Sequence, residues 1–242
     1  MDALLAFIGE HRFVLPAQAA ALLGTDEEVA RTRLRELTDT GHLIEQPVLV
    51  GQPVAYRSTR LGLDVVGSRL RSLPISLTNY WHDVGAAWLW LAARNGAFGP
   101  IREVLAERVI RSRDARGSDA PLGVRLGGLG RDGRERLHYP DLLLVDGGGR
   151  RVAIELEITA KSPSEREKIL AGYAADPRIA RVVYIAYKPQ VAQALCRSVS
   201  RLGISSLVAI HVVRQPGNPP RDAGRTRGIA RHPNPRVGEL AR

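Results

Sequence analysis

The sequence predicts an α/β chain, α+β overall, in two unequal parts. Three observations carry this expectation. Short capped helices precede a hairpin within the first 65 residues, an apolar run at 140–145 precedes an alternating run at 151–158, and helices then alternate with strands up to 213. At 242 residues the chain has room for two domains. The expected division is a first domain at 1–65, a connector at 66–79, an α/β domain with a central mixed sheet at 80–213, and a disordered Arg-, Pro- and Gly-rich tail at 214–242.

The first domain opens with a helix over roughly 2–11, where Leu4, Leu5 and Ile8 fall at helical spacing. Pro16, tolerated in a first turn, starts an Ala-rich helix that Gly24 ends. Thr25 is the expected N-cap of a third helix, with Glu28 completing a capping box. Val29, Leu34 and Leu37 form its expected buried side, Arg31, Arg33 and Arg35 its other side, and Gly41 its stop. Strands at 43–50 and 54–59 follow, joined by Gly51, Gln52 and Pro53. That order is the order of a winged helix-turn-helix. Its third helix, from Thr25 through Arg31, Arg33 and Arg35, would enter the major groove of double-stranded DNA, and its hairpin, with Gln52 and Arg57, would lie on the backbone.

A helix over 61–70 is expected to leave the wing. Residues 80–94 read as a strongly apolar helix, and Pro100 as the opening of another, with Val104, Leu105, Val109 and Ile110 periodic and Glu103 and Glu107 four apart. One irregular strand is expected at 122–126. The Gly127-Gly128-Leu129-Gly130 run lacks the strand-loop-helix setting and Lys-Ser/Thr ending of a phosphate loop, so it reads as a hairpin loop. Strands at 140–145 and 151–158, a helix at 164–175, an apolar interior strand at 180–186, a helix at 189–202 and a last strand at 206–213 complete the domain.

Net charge is +10 and the pI about 10.5, carried almost wholly by Arg, which points to a polyanionic partner, nucleic acid first. Few aromatics argue against base stacking. Cys196 is the single cysteine, which excludes an intramolecular disulfide or a multi-Cys zinc site and fits a reducing cytoplasm. The first residues lack the basic region of a signal peptide, and the longest apolar run falls short of the ~20 residues a bilayer needs, so a cytoplasmic protein without a membrane partner is expected.

The chemistry concentrates at 138–158. On the alternating strand Val152, Ile154, Leu156 and Ile158 point one way, and Ala153, Glu155 and Glu157 the other. Asp141, after Pro140, starts the preceding strand. Three carboxylates placed together are costly unless solvated or holding a cation. Glu155 and Glu157 could equally be the solvated face of an edge strand. His138 could act as a base or ligand, and His82 reads as a packed helix residue.

Pro140-Asp141 with Glu155-x-Glu157 on consecutive strands resembles the PD-(D/E)xK nuclease superfamily. The resemblance implies that Asp141, Glu155 and Glu157 hold Mg²⁺ or Mn²⁺, which would activate a water against a phosphodiester. Glu157 stands in the slot of the usual Lys, and Lys161 or Lys168 could replace it. The wider pattern resembles the replication-relaxation family of bacterial plasmids and conjugative elements. It comprises a winged helix, His82-Asp83, Pro140-Asp141, the 153–162 run, Lys168-x4-Tyr173 and Val182-Val183-Tyr184. Many members of that family carry an Asp-Arg-Gly-Thr run after the Glu, where this chain has Glu157 followed by Ile158-Thr159-Ala160-Lys161. The resemblance implies DNA binding in replication, relaxation or mobilisation, with replication or relaxosome proteins, or a second copy in a homodimer, as further partners. Three functions are therefore open: DNA binding without turnover, metal-dependent nicking, and a protein-interaction adaptor.

Overall fold

The computed structural model describes residues 2–117 and 120–213; the tail expected at 214–242 lies outside them. Among the described residues its mixed α/β fold has eight helices and a central mixed sheet, and no helix there is long and apolar enough to cross a membrane.

Helices α1 (Ala3–Glu10), α2 (Pro16–Leu23) and α3 (Glu27–Asp39) precede the antiparallel hairpin β1 (Leu43–Gln46) and β2 (Ala55–Ser58). Val14, between α1 and α2, adds a two-bond antiparallel bridge to Tyr56 of β2. The N-cap of α3 is Asp26, not Thr25: its carboxylate accepts from the Val29 N–H at 2.9 Å, a charged acceptor at a helix start. The buried side differs from expectation at one position, Ala30 replacing Val29. Ala30, Leu34 and Leu37 are buried, whereas Val29 is 52% exposed. The hairpin strands are shorter than expected. Helix α4 (Arg60–Val65) stops well before residue 70, and Gly67 then takes a positive φ of 65°.

Helix α5 (Tyr80–Arg94) matches its sequence expectation and carries apolar residues on two sides. Ala87 and Leu91 join the core of the first three helices, while Ala93 packs on the main sheet and Trp90 borders both. Buried Gln18 locks the first contact. Its Oε1 accepts from Leu15 N and its Nε2 donates to the Val84 carbonyl, both at 2.9 Å.

The run after Pro100 is not one helix. It splits into strand β3 (Glu103–Ala106) and helix α6 (Glu107–Asp114). Val104 and Leu105 satisfy a helical period locally, but Glu103–Ala106 pairs antiparallel with β6 (Leu142–Val145), and that pairing decides the conformation. The main sheet has the order β3-β6-β7-β8-β9, with β7 (Arg151–Glu157), β8 (Ile179–Ala186) and β9 (Val208–Val212) parallel and the first three strands antiparallel. The crossovers are α7 (Pro163–Ala175) and α8 (Pro189–Leu202), both on the face opposite α5. β7 is the middle strand, so Glu155 and Glu157 are not on an edge; each is only 3% exposed.

Outside the sheet stands a ribbon, β4 (Val124–Leu129) with β5 (Glu135–His138). The sequence predicts only an irregular strand here; Gly127 and Gly128 lie within β4, and the turn is at 130–133. The base of the ribbon is pinned by α7. A Cβ on Gly172 would lie 2.7 Å from the Arg125 carbonyl oxygen, and that oxygen belongs to the backbone. Gly172→Val should therefore destabilise the chain by about 1–3 kcal/mol, the usual penalty for overpacking. Denaturant titration measures this, and an unchanged midpoint would mean that α7 and β4 are not in contact.

Candidate functional site

Asp141 lies just before β6, where Pro140 fixes the approach of the chain. Its Oδ2 accepts from Leu156 N at 2.7 Å, tying the start of β6 to β7. Its Oδ1 lies 3.1 Å from His82 Nε2 on α5. Alternation along β7 puts Glu155 and Glu157 on the face covered by α7 and α8. Glu155 Oε1 is 2.6 Å from His138 Nε2 of β5 and also accepts from the Tyr173 hydroxyl of α7. Glu157 Oε2 accepts from Lys161 Nζ at 2.6 Å, the lysine folding back from the loop after β7. Arg166, itself buried, holds that loop by donating to the Lys161 carbonyl at 3.2 Å and to Ser198 of α8 at 2.9 Å.

Each carboxylate thus meets one basic side chain of this protein. Burial works against the charge on His82, but its bond to Asp141 and that residue's charge outweigh it and raise the pKa to about 9. Burial also opposes His138, and the Glu155 charge and hydrogen bond raise it overall. Burial favours protonation of Glu155, yet His138, Lys161 and Tyr173 together hold its carboxyl below the ordinary value. Burial raises Glu157 in spite of Lys161, and the Lys161 ammonium is held protonated against burial by Glu157, Glu155 and Asp141. With both imidazoles protonated, the six groups are formally neutral.

The Asp141 end opens toward a cavity of about 30 Å³ lined by Arg12, His82, Asp83, Glu107 and Arg108 among others, with room for one water. Arg12 holds a positive φ of 64° there and lies 3.8 Å from Asp83. Burial, against the pull of Arg12, raises the Asp83 pKa to about 6, and its Oδ2 has no hydrogen-bond partner among the described residues.

The structure brings together Asp141, Glu155, Glu157 and Lys161 of the residues singled out in the sequence. Lys168 is exposed on α7 and has no ion-pair partner among the described residues. Tyr173 is a contributor that no pattern of charge marks. His82 and His138 prove to be partners of carboxylates, where the sequence offers packing for the first and chemistry for the second. Divalent metal does not fit this arrangement as it stands. The carboxylates already accept from the chain's own donors, two of them are almost sealed from solvent, and among the described residues no group of three or more His, Cys, Asp or Glu is disposed to hold a metal ion.

The expected DNA-contacting residues lie apart from this centre. On α3, Arg31 pairs with Glu27 at 2.5 Å, Arg33 with Asp2 and Glu36 at 2.9 and 3.0 Å, and Arg35 with Glu28 at 3.7 Å. Thr25 is exposed in the α2–α3 turn, and Gln52 is half-buried in the hairpin loop. Arg57 donates inward to Gln46 and to Ser72, each at 3.3 Å.

No relative emerges from comparison with known proteins. No family model matches the chain, nor does any curated protein or solved structure.

Two outcomes test the electrostatics. Lys161→Met should cost about 3 kcal/mol at neutral pH, the low end for breaking a buried pair, because Lys161 keeps 31% of its side-chain surface exposed. That penalty should shrink in acid as Glu157 protonates; urea titrations at two pH values measure it, and an equal loss at both would show that the ion pair is not the cause. For His82 the folded pKa is raised, so its contribution is complete below the unfolded value near 6.5 and fades as pH climbs to about 9. His82→Gln should therefore narrow its stability deficit against the wild type across that window. Parallel melting curves would refute the pairing.

Proposed function

We propose that this chain binds double-stranded DNA, draws its phosphate contacts mainly from the α/β half, and uses its carboxylate centre to hold that half together rather than to cut. The observation that carries the reading is the division of charge. Residues 1–65 hold six Arg against nine Asp or Glu, whereas residues 66–213 hold 22 Lys or Arg against 14 acids. A net-acidic first domain repels phosphate at long range, and on α3 each arginine is offset by a carboxylate neighbour.

The element order supports the two fold names. The Val14 bridge, three helices and hairpin suit a winged helix-turn-helix. An antiparallel β3, β6, β7 set followed by a helical crossover to parallel β8, with Asp141 just before β6 and Glu155 on the adjacent β7, suits a nuclease-like domain. A role in plasmid replication, relaxation or mobilisation, beside replication or relaxosome proteins, rests on the residue pattern and belongs to the same proposal. The rival reading, a Mg²⁺- or Mn²⁺-dependent nickase, requires His138, Tyr173 and Lys161 to release their carboxylates.

Incubation with supercoiled plasmid separates the two. The expected result is salt-sensitive binding, no nicked circles with Mg²⁺ or Mn²⁺, and no metal-induced rise in Tm. Metal-dependent nicking that disappears in Glu155→Ala would overturn the binding-only reading. In a duplex titration, Arg31→Ala with Arg35→Ala should flatten the slope of log affinity against log salt by less than about 1. Two full phosphate contacts would remove about 1.8.

A further inference from the structure

The β4–β5 ribbon projects from the fold, and its outer half, residues 127–136, is almost wholly exposed. Its base is fixed by Gly172 of α7 and by the Val124–His138 pairing. Its turn is closed by bonds from Gly130 N to the Arg134 carbonyl and from Gly133 N to the Gly130 carbonyl. Arg125 is matched to Glu135 at 3.1 Å. Arg131, Arg134 and Arg136 are exposed, and among the described residues none of the three has an ion-pair partner. They contrast with the arginines of α3, all of which do.

Side-chain alternation adds a direction. Arg136 and His138 occupy the same face of β5, and His138 turns inward to Glu155. Arg136 therefore lies on the ribbon face that leads to the carboxylate centre, and Arg131 and Arg134 lie in the turn at its tip. Between Arg125 and Leu129 the register of β4 shifts, with Gly127 and Gly128 at positive φ of 73° and 72°, so the ribbon bends beyond its pinned base. The major groove of DNA is about 12 Å wide and 8.5 Å deep and admits a two-stranded ribbon.

We infer that the β4–β5 ribbon is a DNA-contacting arm that enters a groove of the duplex, with Arg131, Arg134 and Arg136 on the flanking phosphates. The inference rests on the DNA-binding reading and names the surface responsible. Exposed apolar Leu129, 70% accessible near the tip, would lie inside the groove. Among the described residues no carboxylate anchors the three guanidinium groups to the fold, so replacing them should leave Tm unchanged.

The test is a fluorescence-anisotropy titration of the full chain with a duplex at several salt concentrations, using the wild type and an R131A/R134A/R136A variant. The expected result is a weaker variant whose slope of log affinity against log salt is shallower by about 2–3, near 0.9 for each phosphate that the variant leaves unneutralised. In parallel, a fluorophore on Leu129→Cys, in a Cys196→Ser background that removes the exposed native thiol, should change its emission when duplex is added. If the wild type binds and the triple variant keeps its affinity and slope, with a silent fluorophore, the arm is refuted while the DNA reading stands. If the wild type binds no duplex even at low salt, both fall.

Discussion

Glu155 and Glu157 lie two residues apart on one face of a strand covered on both sides, and Asp141 lies just before the strand beside it. Left bare, such charges would each forfeit several kcal/mol of hydration. The chain meets this by bringing one basic group to each carboxylate, and each comes from a different place: His82 from α5, His138 from the ribbon, Lys161 from the loop before α7. The gain in net stability is small, because buried pairs rarely outdo apolar packing. The penalty for misplacing any one element is large. The three pairs therefore fix where α5, the ribbon and α7 sit relative to the sheet.

The net-acidic residues 1–65 fit the same pattern of local neutralisation. The sequence displays the arginines of α3 without their partners, and the structure adds those partners. Their carboxylate neighbours, Glu27, Glu28 and Glu36, lie one or two helical turns away on the same helix, and Asp2 reaches in from the start of α1. Charge that is matched over a few ångströms contributes little field at the distance of an approaching phosphate.

How much can be read from the chain depends on how local the cause is. Helices α2 and α8 are legible because Pro16 and Pro189 mark their first turns and Gly24 and Gly203 their left-handed ends. The two faces of β7 follow from strict alternation, and the acidic centre follows with them. β3 is hidden because its partner, β6, lies some forty residues later, while Val104, Leu105, Val109 and Ile110 satisfy a helix equally well. β5 is hidden because a four-residue strand with a single apolar residue, Leu137, has no apolar period to betray it. The depth of Glu155 and the hydroxyl that Tyr173 offers it depend on contacts 17 and 18 residues apart, across an intervening strand or helix, which no local pattern encodes.

Helix α5 is shared between two cores, and this bears on how the protein is made. The core of the first three helices is completed by Ala87 and Leu91, and Gln18 finds its acceptor only in Val84. During synthesis the first 65 residues emerge before those partners exist. At about 5–20 residues per second, the roughly thirty residues through α5 add a delay of seconds. Over that interval the nascent chain presents an unfinished apolar surface and an unsatisfied Gln18 amide. Chaperone contact on the ribosome should therefore concentrate on this surface and end as α5 clears the exit tunnel.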